Sequence, residues 1–277
     1  TRKLIMDEQE KKQHIQKIFN TVAAGYDDVA LAFFPKAAAH LPEIFDFKGH
    51  EHVLDIATGT GTPAMAIAPH LIHGKVSGID FSEGMLTQAK TKLAARNLSN
   101  VELHQMDMQT LAFPDNHFDA ANASFAIFFV EDMLNLVNHI ISKVKPNGKV
   151  VSCVFYDNSF SPNIDLFLAR VQQYGVETPD LSWKKIATED KYQRFYESVN
   201  GLTNIKIHRK DISYYLHDAK AWWSIIWNAG FRGLISQFEP SQLAQFKQEH
   251  LAEIEKFNTQ WGIPLQIEIL FAEGTKK

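Results

Sequence analysis

A chain of 277 residues, 45% hydrophobic and 22% charged, can bury a sizeable core and has the balance of a folded globular protein. Its net charge of −4 leaves no basic excess to neutralise phosphates, which argues against nucleic acid as the main partner. The one cysteine, Cys153, excludes an internal disulfide and suits a buried core thiol in a reducing compartment.

The opening "TRKLIMDEQEKKQH" is polar, without a recognisable secretory leader. The longest apolar stretch, "FDAANASFAIFFV", is too short to span a bilayer and is closed by Glu131 and Asp132. The expectation is a cytoplasmic chain with no integral membrane segment. "HVLDIA" reads as a strand, followed by a helix from Pro63 to Leu71, with Pro63 suited to the first turn. "KVSGID" is a second strand, and "SEGMLTQAKTKLAARN" a helix capped by Ser82. "VELHQMD" and "FDAANASF" are the next strands, then come the helix "MLNLVNHIISKV", the stop "KPNG" and the strand "GKVVSCVF". This βαβα order predicts an α/β, doubly wound, mostly parallel sheet with helices on both faces.

After Phe155 the period-two pattern is lost until "NIKIHRKDISYYL", which reads as a strand, as does the final "IPLQIEILFAEG". Residues 158–200 are expected to form a helical insertion over the crevice, and the two late strands to pair antiparallel at one edge of a seven-stranded sheet. Between them, "AKAWWSIIWNAGFRGLI" and "PSQLAQFKQEHLAEIEKFNTQW" have helical spacing. In the first, Trp223, Ile226 and Trp227 predict a core-facing stripe that leaves Trp222 on a flank, near the aromatic Tyr214, Tyr215 and Phe195 in sequence. An apolar or aromatic ligand docked on that surface is the expectation.

The segment "DIATGTGTPA" is a strand that runs into a tight glycine turn and restarts as a helix, a turn that brings backbone N–H groups close to a ligand. Gly59, Gly61 and Ala64 satisfy the G-x-G-x-x-G/A dinucleotide pattern, and Asp80 follows at the distance of a ribose-binding acid, so an NAD-dependent oxidoreductase is one reading. Three acids discriminate against it. Asp55 at the end of the first strand would repel a pyrophosphate and hold an ammonium group. Asp80 closes the second strand and can accept two ribose hydroxyls, while Asp107 closes the third and can accept from an adenine amino group. Such strand ends face one crevice in an open α/β sheet. An amine, a ribose and an adenine without a phosphate describe S-adenosylmethionine.

The blocks "VLDIATGTG", "VSGIDFSEGML", "MDMQTLAFPDNHFDAANASFAIFFVED" and "VKPNGKVV" resemble the successive motifs of class I S-adenosylmethionine-dependent methyltransferases, and "IFNTVAAGYDDV" is similar to the N-terminal segment of the ubiquinone/menaquinone-biosynthesis type. The resemblance covers roughly residues 15–156. It implies a Rossmann-like methyltransferase fold in a single domain, 1–277. Within it lie an N-terminal helical segment (1–45), a cofactor-binding core (50–156), a helical lid insertion (157–202), and the last two strands with their helices (203–277). The resemblance implies that Ala57, Thr58 and Gly59 line the methionine end, with Asp55 near the amine through the loop or a water, and that Asp80 takes the ribose. Phe81 and Met85 then flank the adenine, Asp107 and Met108 meet its edge, and Ser124 and Phe125 lie beside the sulfonium; Tyr26 joins this set. Met85, Met108 and Phe125 would be equally at home in an ordinary core. Ala57 departs from the family, many of whose members carry a glycine there.

The twelve histidines form no H-E-x-x-H or Cys/His cluster, and "HEH" at 50–52 alternates about a strand entrance, so no metal is expected. Methyl transfer needs a base only if the acceptor must lose a proton, for which His117, Tyr26, His217 and Asp218 are candidates and none is singled out. The expected activity is methyl transfer to a small, largely apolar or aromatic acceptor, with a homodimer as the candidate assembly. The alternatives are the NAD-dependent oxidoreductase and a non-catalytic cofactor-binding protein of the same fold.

Overall fold

The computed structural model describes residues 7–178 and 181–277. The short apolar runs at the centre of the sheet become strands buried on both faces, because helices cover the sheet from either side. In β1 (His52–Ile56), Val53, Leu54 and Ile56 are fully buried. β2 (Lys75–Asp80), β3 (Val101–Gln105), β4 (Phe118–Ser124) and β5 (Val144–Phe155) complete the parallel part. Helices α1 (Glu8–Val22), α2 (Phe33–Ala38) and α3 (Leu41–Phe45) precede β1. α4 (Thr62–Ile67), α5 (Glu83–Ala95) and α6 (Met133–Lys143) connect the strands. Ser82 caps α5 as expected, its hydroxyl accepting from the Met85 N–H at 3.1 Å.

The two late runs each break in two. β6 (Leu202–Asp211) and β9 (Glu268–Lys276) join the main sheet, whose order is β3-β2-β1-β4-β5-β9-β6. β9 is antiparallel to both its neighbours, which gives the seven strands and the antiparallel edge. β7 (Tyr214–Leu216) and β8 (Ile263–Leu265) leave this sheet and pair with each other. Side chains cause the break. The Ser213 N–H donates to Asp211 Oδ1 at 2.9 Å, and the Ser213 hydroxyl accepts from the Ile267 N–H at 3.0 Å, so both chains turn together.

Among the described residues of 158–200 there is no strand, but the segment does not lie over the crevice as one piece. α7 (Asn163–Gln173) packs on α11 (Pro240–Ile254), tied by Arg170 to Glu249 at 2.7 Å and Glu253 at 3.2 Å. α8 (Glu189–Glu197) instead packs on β6 and β9 as a sheet-covering helix. Its Tyr192 and Tyr196 hydroxyls, fully buried, meet the Ser152 hydroxyl at 2.5 and 2.6 Å. Ser152→Ala is therefore expected to destabilise the fold by about 2 kcal/mol, because two buried hydroxyls lose their partner. A midpoint of urea unfolding unchanged from the parent would show that they find another.

Trp223 and Ile226 are buried as expected, but Trp222 and Trp227 exchange places. α9 (Ala219–Asn228) is flanked on more than one side, so Trp222 is fully buried and Trp223 nearly so, while Trp227 is 37% exposed. The Trp222 indole N–H donates to His250 Nε2 at 2.9 Å, and Trp227 lies under the Arg232 guanidinium of α10 (Arg232–Ile235). Tyr214 is likewise structural, its hydroxyl donating to the Ala30 carbonyl at 2.6 Å.

Candidate active site

The strand ends converge on a cavity of about 1120 Å³. The loops after β1, β2 and β3 supply Ala57, Thr58, Gly59, Thr60, Asp80, Phe81, Met85, Asp107 and Met108 to its wall. The loop after β4 supplies Ser124, Phe125, Phe128 and Phe129, and helices α1 and α2 supply Ile15, Ile18, Phe19 and Phe34. Lys185, just ahead of α8, and Leu234, in the short helix Arg232–Ile235, also line the cavity. Tyr26 also lines it, so the cavity gathers every predicted cofactor residue except Asp55.

Asp55 stands back from the cavity, behind the loop. It is fully buried beneath the glycine loop and does not reach the cavity wall. Its Oδ2 accepts from the Thr58 hydroxyl at 2.5 Å and its Oδ1 from the Asn122 amide at 2.7 Å; Asn122 in turn accepts from the Ser124 hydroxyl at 3.1 Å. This relay fixes Thr58 and Ser124, two residues of the cavity wall, relative to each other. Burial pushes the Asp55 carboxyl up to about 6.

The loop itself is internally satisfied. The Thr58 N–H donates to the Ile79 carbonyl at 2.8 Å, Gly61 to Thr58 at 2.8 Å, and Gly59 to Asp80 Oδ2 at 2.9 Å. Ala57 and Phe125 lie in the left-handed region at φ of 52° and 54°, non-glycine strain that flanks the cavity on two sides. The missing glycine at 57 is thus a position where glycine would be relaxed and alanine is held by its surroundings.

Asp80 is 7% exposed, and its Oδ1 accepts from the Ser82 N–H at 2.8 Å. Each carboxylate oxygen therefore takes one backbone donor and keeps a lone pair toward the cavity. Burial pushes its carboxyl up to about 6. Both buried acids are raised, so the unliganded fold is favoured below the usual carboxylate range and loses that contribution as pH rises through about 6. A ligand whose hydroxyls donate to Asp80 needs the ionised form. Its affinity is therefore expected to fall about tenfold per unit below pH 6 and to plateau above it. Calorimetric titration with S-adenosylhomocysteine between pH 5 and 8 checks this, and a flat profile would contradict it.

An aromatic wall continues from this end. Tyr26 stacks on Phe34 with centroids 4.7 Å apart, Phe34 meets Phe125 at 5.7 Å, and Phe19 meets Tyr26 at 6.3 Å. Burial, with the nearby Asp80 and Asp27 charges, pushes the Tyr26 phenol well above its ordinary value, which makes it a donor rather than a base. The other base candidates lie elsewhere. His117 precedes β4, at the opposite end of the sheet, beside His52 at 5.2 Å. His217 is exposed, and Asp218 caps α9 by accepting from the Ala221 N–H at 3.0 Å. Among the described residues no cluster of His, Cys, Asp and Glu could hold a metal ion, and no helix is long and apolar enough to cross a membrane.

The contribution of α1 was not apparent from the sequence. Residues 8, 12, 16 and 20 recur at one helical spacing and all reach the strand-end loops. Gln109 Nε2 donates to Glu8 at 3.2 Å, Lys12 to Asp107 at 2.6 Å, and Gln16 to the Phe81 carbonyl at 2.7 Å, while Asn20 accepts from the Ser82 hydroxyl at 2.6 Å. Gly84 permits the approach, since a side chain there would meet Ala23 at 3.2 Å.

Residues 53–148 match the profile of a family described as a methyltransferase domain. A demethylmenaquinone methyltransferase of Bacillus cereus is 33% identical over 149 residues, which cover 52% of this chain and 63% of the relative. The chain thus spans a little under two thirds of the length of the curated relatives it matches. Among solved structures, the YcgJ protein from Bacillus subtilis aligns with a TM-score of 0.58 at 19% identity, covering 87% of this chain and 98% of that one. The [4+2]-cyclase SpnF aligns with a TM-score of 0.55 at 16% identity, covering 95% and 94%. At such identities the likeness shows the fold alone, and a fold can host more than one chemistry.

Proposed function

We propose that this chain, which carries a class I S-adenosylmethionine-dependent methyltransferase domain, transfers the cofactor's methyl group to a small, largely apolar or aromatic acceptor. The observation that carries the reading is Asp80, a buried carboxylate pinned by two backbone N–H groups with its remaining lone pairs on the cavity. That donor set fits a ribose diol. Phe81 and Met85 would sandwich the adenine, with Asp107 and Met108 at its edge, and Ala57, Thr58, Gly59, Ser124, Phe125 and Tyr26 would surround the methionine end. The dinucleotide reading is not favoured: the loop N–H groups of Thr58, Gly59 and Gly61, which a pyrophosphate would need, are already bonded within the protein.

The sulfonium supplies an already activated methyl group, so the protein's task is orientation and exclusion of water. Phe19, Phe34, Phe125, Phe128 and Phe129 form an aromatic chamber beside the cofactor crevice, which supports an acceptor with a flat or apolar body. The aromatic part of this lining and the net negative charge of the chain support a small molecule over nucleic acid. A flat quinol is the first acceptor to try, given the name of the Bacillus cereus relative. The test is transfer of labelled methyl from S-adenosylmethionine to hydroquinones, phenols and polar amines. Labelled hydroquinone or phenol is expected. Binding without transfer to any of these would favour the non-catalytic reading, and preference for the polar amines would overturn the acceptor class.

A further inference from the structure

The adenine end of the crevice has a residue of its own outside the matched methyltransferase domain. Asp107, expected to read the adenine amino group, lies two residues beyond the end of β3, on a loop rather than in the sheet. Its carboxylate is fixed from two sides: Oδ1 accepts from the Gln109 N–H at 2.9 Å, and Oδ2 from Lys12 Nζ at 2.6 Å. The first bond belongs to the loop. The second crosses from α1, 95 residues away in sequence, and both partners are only about a quarter exposed. Both residues line the same cavity.

We infer that Lys12 is a positioning residue for Asp107: it holds the carboxylate so that a remaining lone pair faces the amino edge of the adenine ring, and it makes cofactor affinity depend on a docked α1. The inference rests on the methyltransferase reading. A carboxylate on a loop with one local bond can turn about its side-chain torsions, whereas one bonded on both oxygens presents a single orientation. The neighbouring contacts of Gln16 and Asn20 keep α1 at the same loops, so that Lys12 reaches Asp107 without searching for it.

The test measures S-adenosylhomocysteine affinity by calorimetry in Lys12→Met, Asp107→Asn and the double variant. Lys12→Met alone is expected to weaken binding roughly fivefold or more, with a weaker salt dependence than the parent. In the Asp107→Asn background the same change is expected to do nothing beyond about twofold, because the group that Lys12 positions is already altered. Lys12→Arg, which keeps the charge and the donors, is expected to retain most of the affinity. A general loosening of α1 would instead weaken both backgrounds equally. Equal losses in the two backgrounds, or no loss in either, would overturn the inference. Should Lys12→Met fail to fold, Lys12→Gln carries the same two expectations. A parent protein that does not bind S-adenosylhomocysteine would overturn the methyltransferase reading as well, which separates the two failures.

Discussion

Asp80→Ala is expected to weaken S-adenosylhomocysteine binding by about 2 kcal/mol or more, some thirtyfold, while the protein stays folded. Two hydrogen bonds to a charged acceptor are lost, and in this site they matter more than on a surface. The carboxylate is 7% exposed, and its orientation is set before any ligand arrives by the N–H groups of Gly59 and Ser82. A ligand therefore meets a preorganised acceptor and pays little to order it. The substitution has a second effect on the same loop, because the Gly59 N–H loses its partner. Ala57 is held at a φ of 52° just upstream, so the glycine loop should loosen with it. Asp80→Asn separates these effects: it keeps an acceptor for one N–H but removes the charge, and an intermediate loss is expected. Calorimetry on the parent and both variants, with circular dichroism as the control for folding, decides. Parental affinity in Asp80→Ala would remove the ribose assignment.

Trp222→Ala is expected to act on stability alone, and strongly. The side chain is fully buried, and truncating such a tryptophan destabilises by about 3–5 kcal/mol. His250 adds to this. Burial pushes its imidazole down to about 4, so at neutral pH the ring is uncharged and its Nε2 is free to accept the indole N–H. Without Trp222 that nitrogen is left buried and unpaired. The midpoint of thermal unfolding should fall by roughly ten degrees, with S-adenosylhomocysteine affinity and the acceptor Michaelis constant unchanged at temperatures where the variant is folded. A raised Michaelis constant in a variant of parental stability would return Trp222 to the acceptor surface.

Some of this site was legible in the residues because the relevant side chains sit at the ends of strongly patterned strands. Asp80 and Ser124 each close a short apolar strand and Asp107 follows the mixed strand β3, and in a parallel sheet such ends share one crevice. Asp55 looks the same in sequence, but adjacent strand residues point to opposite faces, and nothing in the pattern says which face the loop will cover. Its two partners, Thr58 and Asn122, are 3 and 67 residues away, so its burial became visible only with the fold. Trp222 was misjudged for a related reason. A single-stripe reading of α9 assumes one buried face, whereas Ala219, Trp222, Trp223, Ile225 and Ile226 are all buried, which takes neighbours on more than one side. On α1 the polar face is what the pattern conceals. Glu8, Lys12, Gln16 and Asn20 have the look of a solvated face, and only their four-residue spacing hinted at a common partner. The break between β6 and β7 coincides with the Asp211 carboxylate and the Ser213 hydroxyl bonding backbone N–H groups, a local competition that strand propensity does not register.

A crystal structure of the chain grown with S-adenosylhomocysteine tests the central claim most directly. The ribose hydroxyls are expected on the Asp80 carboxylate, the adenine between Phe81 and Met85 with its amino group toward Asp107, and the sulfur facing the aromatic chamber beside Phe125. Density for the ligand outside this crevice, or a ribose that leaves Asp80 unbonded, would contradict it.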